Sequence, residues 1–316
     1  MKRYAIFAHY DVSGFVHDYV FFYLNELKQV SDAIIFVSDG TIKPQDKEKL
    51  SKYVNIISDE KHGEYDWGSY KKGYLAIKDK LTDKDELIFC NDSVFGPLTP
   101  FKQIFDKMKM QKADVWGINT ASEKFLMSFF LVIRSTVFQK DYFHDFMTNI
   151  KKETTKEDVV EKYEKGFSEL IYRNGHKISS YFTPSDIINH KFDDIPFFSF
   201  FCHFVKKDNF EVYDDSVIYL IKNGFPFIKK LSFKNKKNYL WALYPYITDN
   251  YDTKYIESYF SLKKQNSHLI LLFKMMGLTF FKVLPTKNFF FSHKITKSGK
   301  KIIKICKIPI FIRKVK

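Results

Sequence analysis

Apolar and polar positions change their period repeatedly along the first half of the chain. Residues 4–8 form a short apolar run of strand length. Residues 16–30 space their apolar side chains at three and four, which predicts a helix. A β-rich run at 33–37 stops at the turn residues Ser38, Asp39 and Gly40, and 54–57 reads as another short strand. The pattern then gives an amphipathic helix at 70–81, a buried strand at 86–90, a helix at 101–110 and a strand at 115–118. Strands this short, separated by helices, predict parallel pairing through crossover connections, hence an α/β fold. No internal repeat is visible, which argues against a solenoid.

The second half is less regular. Residues 125–133 form an apolar run, broken only by Ser128, and predict a strand across the core. Thr155 is placed to cap a helix, with Glu157 in its first turn and Asp158 three residues on; that helix should run to about Asn174 and stop at Gly175. Residues 225–233 read as a late strand. From Lys254 onward the pattern suggests short basic helices. The expected division is a domain over 1–264 and a basic amphipathic tail over 265–316.

Charge sharpens that division. The 316 residues carry a net charge of +14, yet no acidic residue follows Glu257, where fourteen Lys and Arg lie. The remaining 37 basic residues are matched by 37 acidic ones, so the body is neutral and offers no basic groove for nucleic acid. The tail sequence KKIIKICKIPIFIRKVK interleaves cations with aliphatics, which suits an anionic membrane surface better than a nucleic acid. No apolar run reaches about 18 residues, so no transmembrane helix is expected. The first residues read as a core strand and not as a signal peptide. Cys90, Cys202 and Cys306 are too far apart for a CxxC pair, which fits a reducing compartment better than a disulfide framework or a zinc site.

Four segments could carry chemistry. CNDSVFGPL, residues 90–98, ends an apolar strand at Asn91, Asp92 and Ser93, where ligands bind in an open parallel sheet. A carboxylate there could hold magnesium or manganese against a diphosphate, or the three residues could merely cap a turn. YDWGSYKKG, residues 65–73, offers Asp66 to a ribose or base and Lys71 to a phosphate; Asp66 as a helix cap and Trp67 as core is the plainer alternative. The helix around 162–177 carries Glu161, Glu164 and Glu169, most of which belong on a solvated face, although one could act as a base. AHYD, residues 8–11, puts His9, Tyr10 and Asp11 at the end of the first strand, as site or as capped loop. The chain has no HExxH, GxGxxG, GxxxxGK[ST] or GxSxG motif, so zinc hydrolysis, dinucleotide, P-loop and serine-hydrolase chemistries lack support.

Taken in order, AHYD, VSDG, DWGSYKKG, LIFCNDSVFGPL, ADVWGI, SFFLVIRSTVF, VVEKYEKGFSELIYRNGHK and FPFIKK resemble the rhamnan synthesis protein F family, over roughly residues 4–232. The resemblance implies a GT-A-like, mostly parallel sheet flanked by helices, followed here by the basic helical tail. It implies a glycosyltransferase using a nucleotide-sugar donor, dTDP-L-rhamnose among them, on a lipid-linked cell-surface glycan such as a capsule or lipopolysaccharide. The enzyme would sit in the cytoplasm, peripheral to the inner face of the plasma membrane. By the same implication Glu164 is the catalytic base, and Asp92 contacts the donor or a divalent cation, Mg or Mn. Tyr10, Asp11, Asp66, Lys71, Asn91 and Ser93 would line the donor site. Two departures stand out. Only Asp92 is acidic in a motif that often has two acids, and Phe125 and Met127 replace the polar pair of an HLQS-like segment. The second departure keeps open a non-catalytic member that binds glycan or scaffolds an assembly complex.

Overall fold

The computed structural model of the chain describes residues 1–121, 125–183, 217–233, 243–247, 250–260, 291–295, 301–305 and 308–312. The chain divides into two compact units. One comprises Met1–Lys237 with Pro245–Leu262, the other Asn238–Tyr244 with Lys263–Lys316.

The first unit is a helix-flanked sheet. In chain order it begins with β1 (Arg3–His9), α1 (Asp18–Lys28), β2 (Ala33–Ser38), α2 (Pro44–Leu50) and β3 (Ile56–Ser58). It continues with α3 (Tyr65–Ile77), β4 (Glu86–Asn91), β5 (Val94–Phe95), α4 (Phe101–Lys109) and β6 (Val115–Gly117). Then come β7 (Thr120–Ala121), β8 (Phe125–Leu126), β9 (Phe130–Arg134), α5 (Ser135–Phe138) and α6 (Asp141–Thr148). The sheet has seven strands in the order β10-β6-β9-β4-β1-β2-β3, where β10 is Ile178–Ser180. All pairings are parallel except those of β9, which runs against both β4 and β6. Ala5, Ile6, Phe7 and Ala8 of β1 and Leu87–Cys90 of β4 are fully buried, as expected for central strands covered on both faces. Helix α3 lies close on β1 because residue 73 is glycine; a Cβ there would come within 2.3 Å of Ile6.

A single long helical segment follows α6. It opens at α7 (Lys156–Val159), passes through a π-helical stretch at Val160–Lys165 and closes as α8 (Gly166–Arg173). The expected capping box is present: the Thr155 hydroxyl accepts from the Asp158 amide, and the Asp158 carboxylate accepts from the Thr155 amide. Gly175, with φ +74°, ends it. Further on are α9 (Val217–Lys222), β11 (Ile228–Lys229) and α10 (Lys254–Phe260).

Several expected elements are redrawn. Helix α3 begins at Tyr65, five residues before the expected start, because Trp67 and Tyr70 both face the core and Gly68 does not interrupt the turn. The run 125–133 is two short strands around a turn at Ser128 and Phe129, not one. The run 225–233 pairs only at Ile228 and Lys229, then turns as a 3-10 helix over Lys230–Phe233.

In the second unit, β12 (Phe291–Ile295), β13 (Lys301–Ile305) and β14 (Ile308–Ile312) form an antiparallel meander. The helical tail expected from sequence is therefore corrected over these residues. Interleaved Lys and Ile satisfy either period, and the density of β-branched isoleucine decides for strands. Pro309 excludes a helix interior and sits in β14, an edge strand, where a missing N–H is tolerated. Among the described residues no helix is long and apolar enough to cross a membrane.

Candidate active site

Parallel strands β1 and β4 end side by side, with Ala8 opposite Asn91, and the next residues of each leave the sheet at its carboxyl edge. Asn91, Asp92 and Ser93 form a tight turn there. The Asn91 side-chain oxygen Oδ1 accepts from both the Ser93 backbone amide (3.0 Å) and the Ser93 hydroxyl (2.6 Å). The Asn91 amide nitrogen donates to Asp66 Oδ2 at 2.8 Å, tying the turn to the first turn of α3. Tyr65, immediately before Asp66, has φ +57°, a left-handed conformation that a bulky residue holds only under constraint.

Strand β11 then closes on the turn from far along the chain. Its residues pair antiparallel with β5, Ile228 opposite Phe95 and Lys229 opposite Val94, and the Lys230 amide donates to the Ser93 carbonyl at 3.0 Å. Gly96 makes the approach possible: φ is +135°, and a Cβ would lie 2.7 Å from the Phe227 ring and 2.8 Å from the Pro226 carbonyl. The two lysines bracket the turn. Lys229 Nζ donates to Ser93 Oγ at 3.2 Å and lies 4.1 Å above the Phe129 ring. Lys230 Nζ lies 3.5 Å from Asp92 Oδ2 and donates to Tyr19 OH at 2.9 Å, while that hydroxyl donates to the Asp92 carbonyl at 3.0 Å.

Two more groups join from either side. His9 is buried at the end of β1, with Nδ1 3.1 Å from Ser38 Oγ and Nε2 3.9 Å from Asp92 Oδ2. Glu164, in the π-helical stretch, accepts a short hydrogen bond from the Ser128 hydroxyl. The Tyr70 hydroxyl donates to the Ser128 carbonyl at 2.8 Å. A π-helical turn re-aims the side chains it carries and recurs at functional positions.

The charges act on one another across this edge. Burial, and next the charge of Asp92, push the Asp66 carboxyl up to about 6, while Lys229 opposes the rise. Burial pulls the Lys229 ammonium down to about 8, against the attraction of Glu164 and Asp66. Burial also lowers His9. Asp66, Asp92, Glu164 and Lys229 thus share one electrostatic environment, with opposite signs interspersed.

The residues named from sequence separate into two groups. Asp66, Asn91, Asp92, Ser93 and Glu164 come together. Asp11 is used locally: burial would raise its carboxyl, but the amides of Phe15 and Ser13 hold it below the ordinary value, and His17 Nε2 lies 3.3 Å away. Tyr10 is half exposed at the end of β1, with the Lys61 ammonium 5.8 Å from its ring. The Lys71 ammonium donates to the Ile150 carbonyl at 2.7 Å and pairs with Glu64 at 2.6 Å, so it serves packing between segments. Trp67 is core, edge-on to Tyr70, Phe89 and Phe146. Lys229, Lys230, Tyr19 and Ser128 escaped the sequence reading. The signal available was FPFIKK, two adjacent cations ending an apolar run in an otherwise neutral body.

A divalent cation fits this donor set poorly. Asp92 is the one carboxylate of the turn and already faces Lys230; Asp66 is engaged by Asn91. Among the described residues no three His, Cys, Asp or Glu side chains are grouped closely enough to hold a metal ion.

A carboxylate, an amide and a hydroxyl thus sit on the carboxyl-edge turn of a mostly parallel sheet, with cations beside them, at the edge where open α/β sheets bind their ligands. The chain belongs to the rhamnan synthesis protein F family, whose family model matches residues 34–312. It is 26% identical over 190 residues to the uncharacterized protein y4gN of Sinorhizobium fredii. That match takes in 58% of this chain and 49% of y4gN, so the chain spans about half the length of its relative. Among solved structures, S. aureus TarS 1–349 aligns with all of this chain and all of its own at 14% identity and a TM-score of 0.37. A provisionally assigned nucleotide-diphospho-sugar transferase of Desulfovibrio desulfuricans covers 58% of this chain and 80% of its own at 12% identity and the same TM-score of 0.37.

Proposed function

We propose that the chain transfers a sugar from a nucleotide-sugar donor to a growing cell-surface polysaccharide, with rhamnose as the candidate sugar and a lipid-linked glycan as the candidate acceptor. The acceptor hydroxyl oxygen forms a bond to the anomeric carbon while the bond from that carbon to the nucleoside diphosphate breaks. The hydroxyl proton passes to Glu164, and the diphosphate leaves with the bonding electron pair. Asn91, Ser93 and Asp66 orient the donor, and Asp92 holds Lys230 and the turn in place.

The observation that carries this reading is the placement of Glu164. Its neighbours Glu161 and Glu169 are exposed and paired with Lys165 and Arg173. Glu164 alone of the three is turned toward Ser128, with a field that reaches Lys229 and Asp66. The test is turnover of a panel of nucleotide sugars, dTDP-L-rhamnose included, with a soluble glycan acceptor. Release of nucleoside diphosphate that depends on the acceptor is expected. Glycan binding without release of diphosphate from any donor would instead favour a non-catalytic assembly protein. That second reading draws on Met127, which is buried with its sulfur 3.2 Å from the Asn119 side-chain amide, at a position where the family resemblance implies a polar residue. The tail over 265–316 would hold the protein peripherally at an anionic, cytoplasmic membrane surface.

A further inference from the structure

We propose that Lys229 and Lys230 together form the diphosphate site, gripping the nucleotide sugar and stabilising its leaving group in the place of a divalent cation. The inference rests on the transferase reading and specifies how its leaving group is handled.

Lys229 is the last residue of β11, and Lys230 opens the 3-10 turn that follows it. The two ammonium groups reach different residues of the turn that ends β4: Lys229 meets Ser93 Oγ at 3.2 Å and Lys230 lies within 3.5 Å of Asp92 Oδ2. Neither position is incidental. The β5–β11 pairing, the Lys230 amide on the Ser93 carbonyl and Gly96 all fix the backbone of these lysines to the turn itself.

A diphosphate lying across this carboxyl edge would meet both cations, one beside Ser93 and one beside Asp92. The Tyr19 hydroxyl orients one of them, and the face of Phe129 supports the other. A dication at Asp92 would have to displace Lys230 or sit beside it, and like charges at that distance repel strongly in a half-buried site. The same ammonium is attracted to a diphosphate, whose negative charge grows as the glycosidic bond breaks. Asp92 then acts on Lys230 as a positioning residue.

The test uses the full chain, with dTDP and UDP as probes, titrated by calorimetry in EDTA and again in manganese. One of the two is expected to bind in EDTA with unchanged affinity in manganese. Lys230→Met and Lys229→Met should each weaken it at least tenfold, and Lys230→Arg should recover most of the loss. Thermal unfolding of each variant separates lost binding from lost fold. Binding that appears only with manganese, equal affinity in both methionine variants that fold, or no binding of either probe would overturn the proposal. A chain that binds a probe in EDTA through these lysines but transfers no sugar would sink the transferase reading and leave the diphosphate site standing.

Discussion

Asp66 illustrates how the site sets function against stability. Its folded carboxyl titrates near 6, well above the ordinary value of 3.8, so the folded state holds that proton more tightly than the unfolded chain. Stability from this group is therefore full at low pH and falls as pH rises from about 4 through about 6. Asp66→Asn keeps an oxygen to accept from Asn91 and removes the charge. It should raise Tm by a few degrees at pH 7.5, on the order of 1–2 kcal/mol, and leave it nearly unchanged near pH 4. Unfolding curves at both pH values check this; the same shift at both would mean that ionisation is not the cause. Asp92→Asn should leave the fold intact and lower turnover about 100-fold, because Lys230 loses its anchor where transition-state charge develops. Steady-state kinetics at saturating donor measures it, and near wild-type turnover would remove Asp92 from the site.

At the scale of elements, the site depends on a strand pair only two residues long, joining β5 to β11. Gly96→Ala forces a side chain into the left-handed region and against Phe227. It should cost on the order of 2–3 kcal/mol and weaken binding of dTDP or UDP as both lysines shift. Calorimetry with thermal unfolding would show the two losses together; a loss of stability with unchanged affinity would separate β11 from the site. This pairing was also what the sequence could not reveal. The strands β1, β2, β4 and β6 were legible because each is a continuous apolar run, and the Thr155 cap because its partners lie within four residues. Asn91, Asp92 and Ser93 could be placed at a strand end from the pattern, but by itself that place fitted a turn cap as well as a site, and only the combination with DWGSYKKG and the other motifs pointed to a site. The lysines could not be placed there, since their contacts to Ser93 and Asp92 cross more than 130 residues and two of the strand's side chains carry no periodic signal. A strand was legible at 125–133 as well, and β9 forms its second half; the turn at Ser128 and Phe129 was not, because the residues on both sides of it are apolar.

For the whole molecule, charge is the organising fact. The excess of fourteen cations lies beyond Glu257, and the rest of the chain is balanced. Replacing Lys300, Lys301, Lys304 and Lys307 by Gln in the full chain should therefore abolish most salt-sensitive binding to vesicles of anionic lipid, at about 1 kcal/mol for each cation. Transfer to a soluble acceptor should persist. Sedimentation with vesicles at low and high salt measures this, and unchanged binding would refute a membrane role for the tail. The other half of the account, catalysis at the sheet edge, is tested most directly by Glu164→Gln. The neutral isostere keeps an oxygen to accept from Ser128 but cannot take the acceptor proton. Donor affinity and sugar transfer are to be measured on the same preparation. The account predicts donor affinity within about threefold of wild type and transfer reduced at least 100-fold; donor affinity lost together with transfer, or transfer retained, would contradict it.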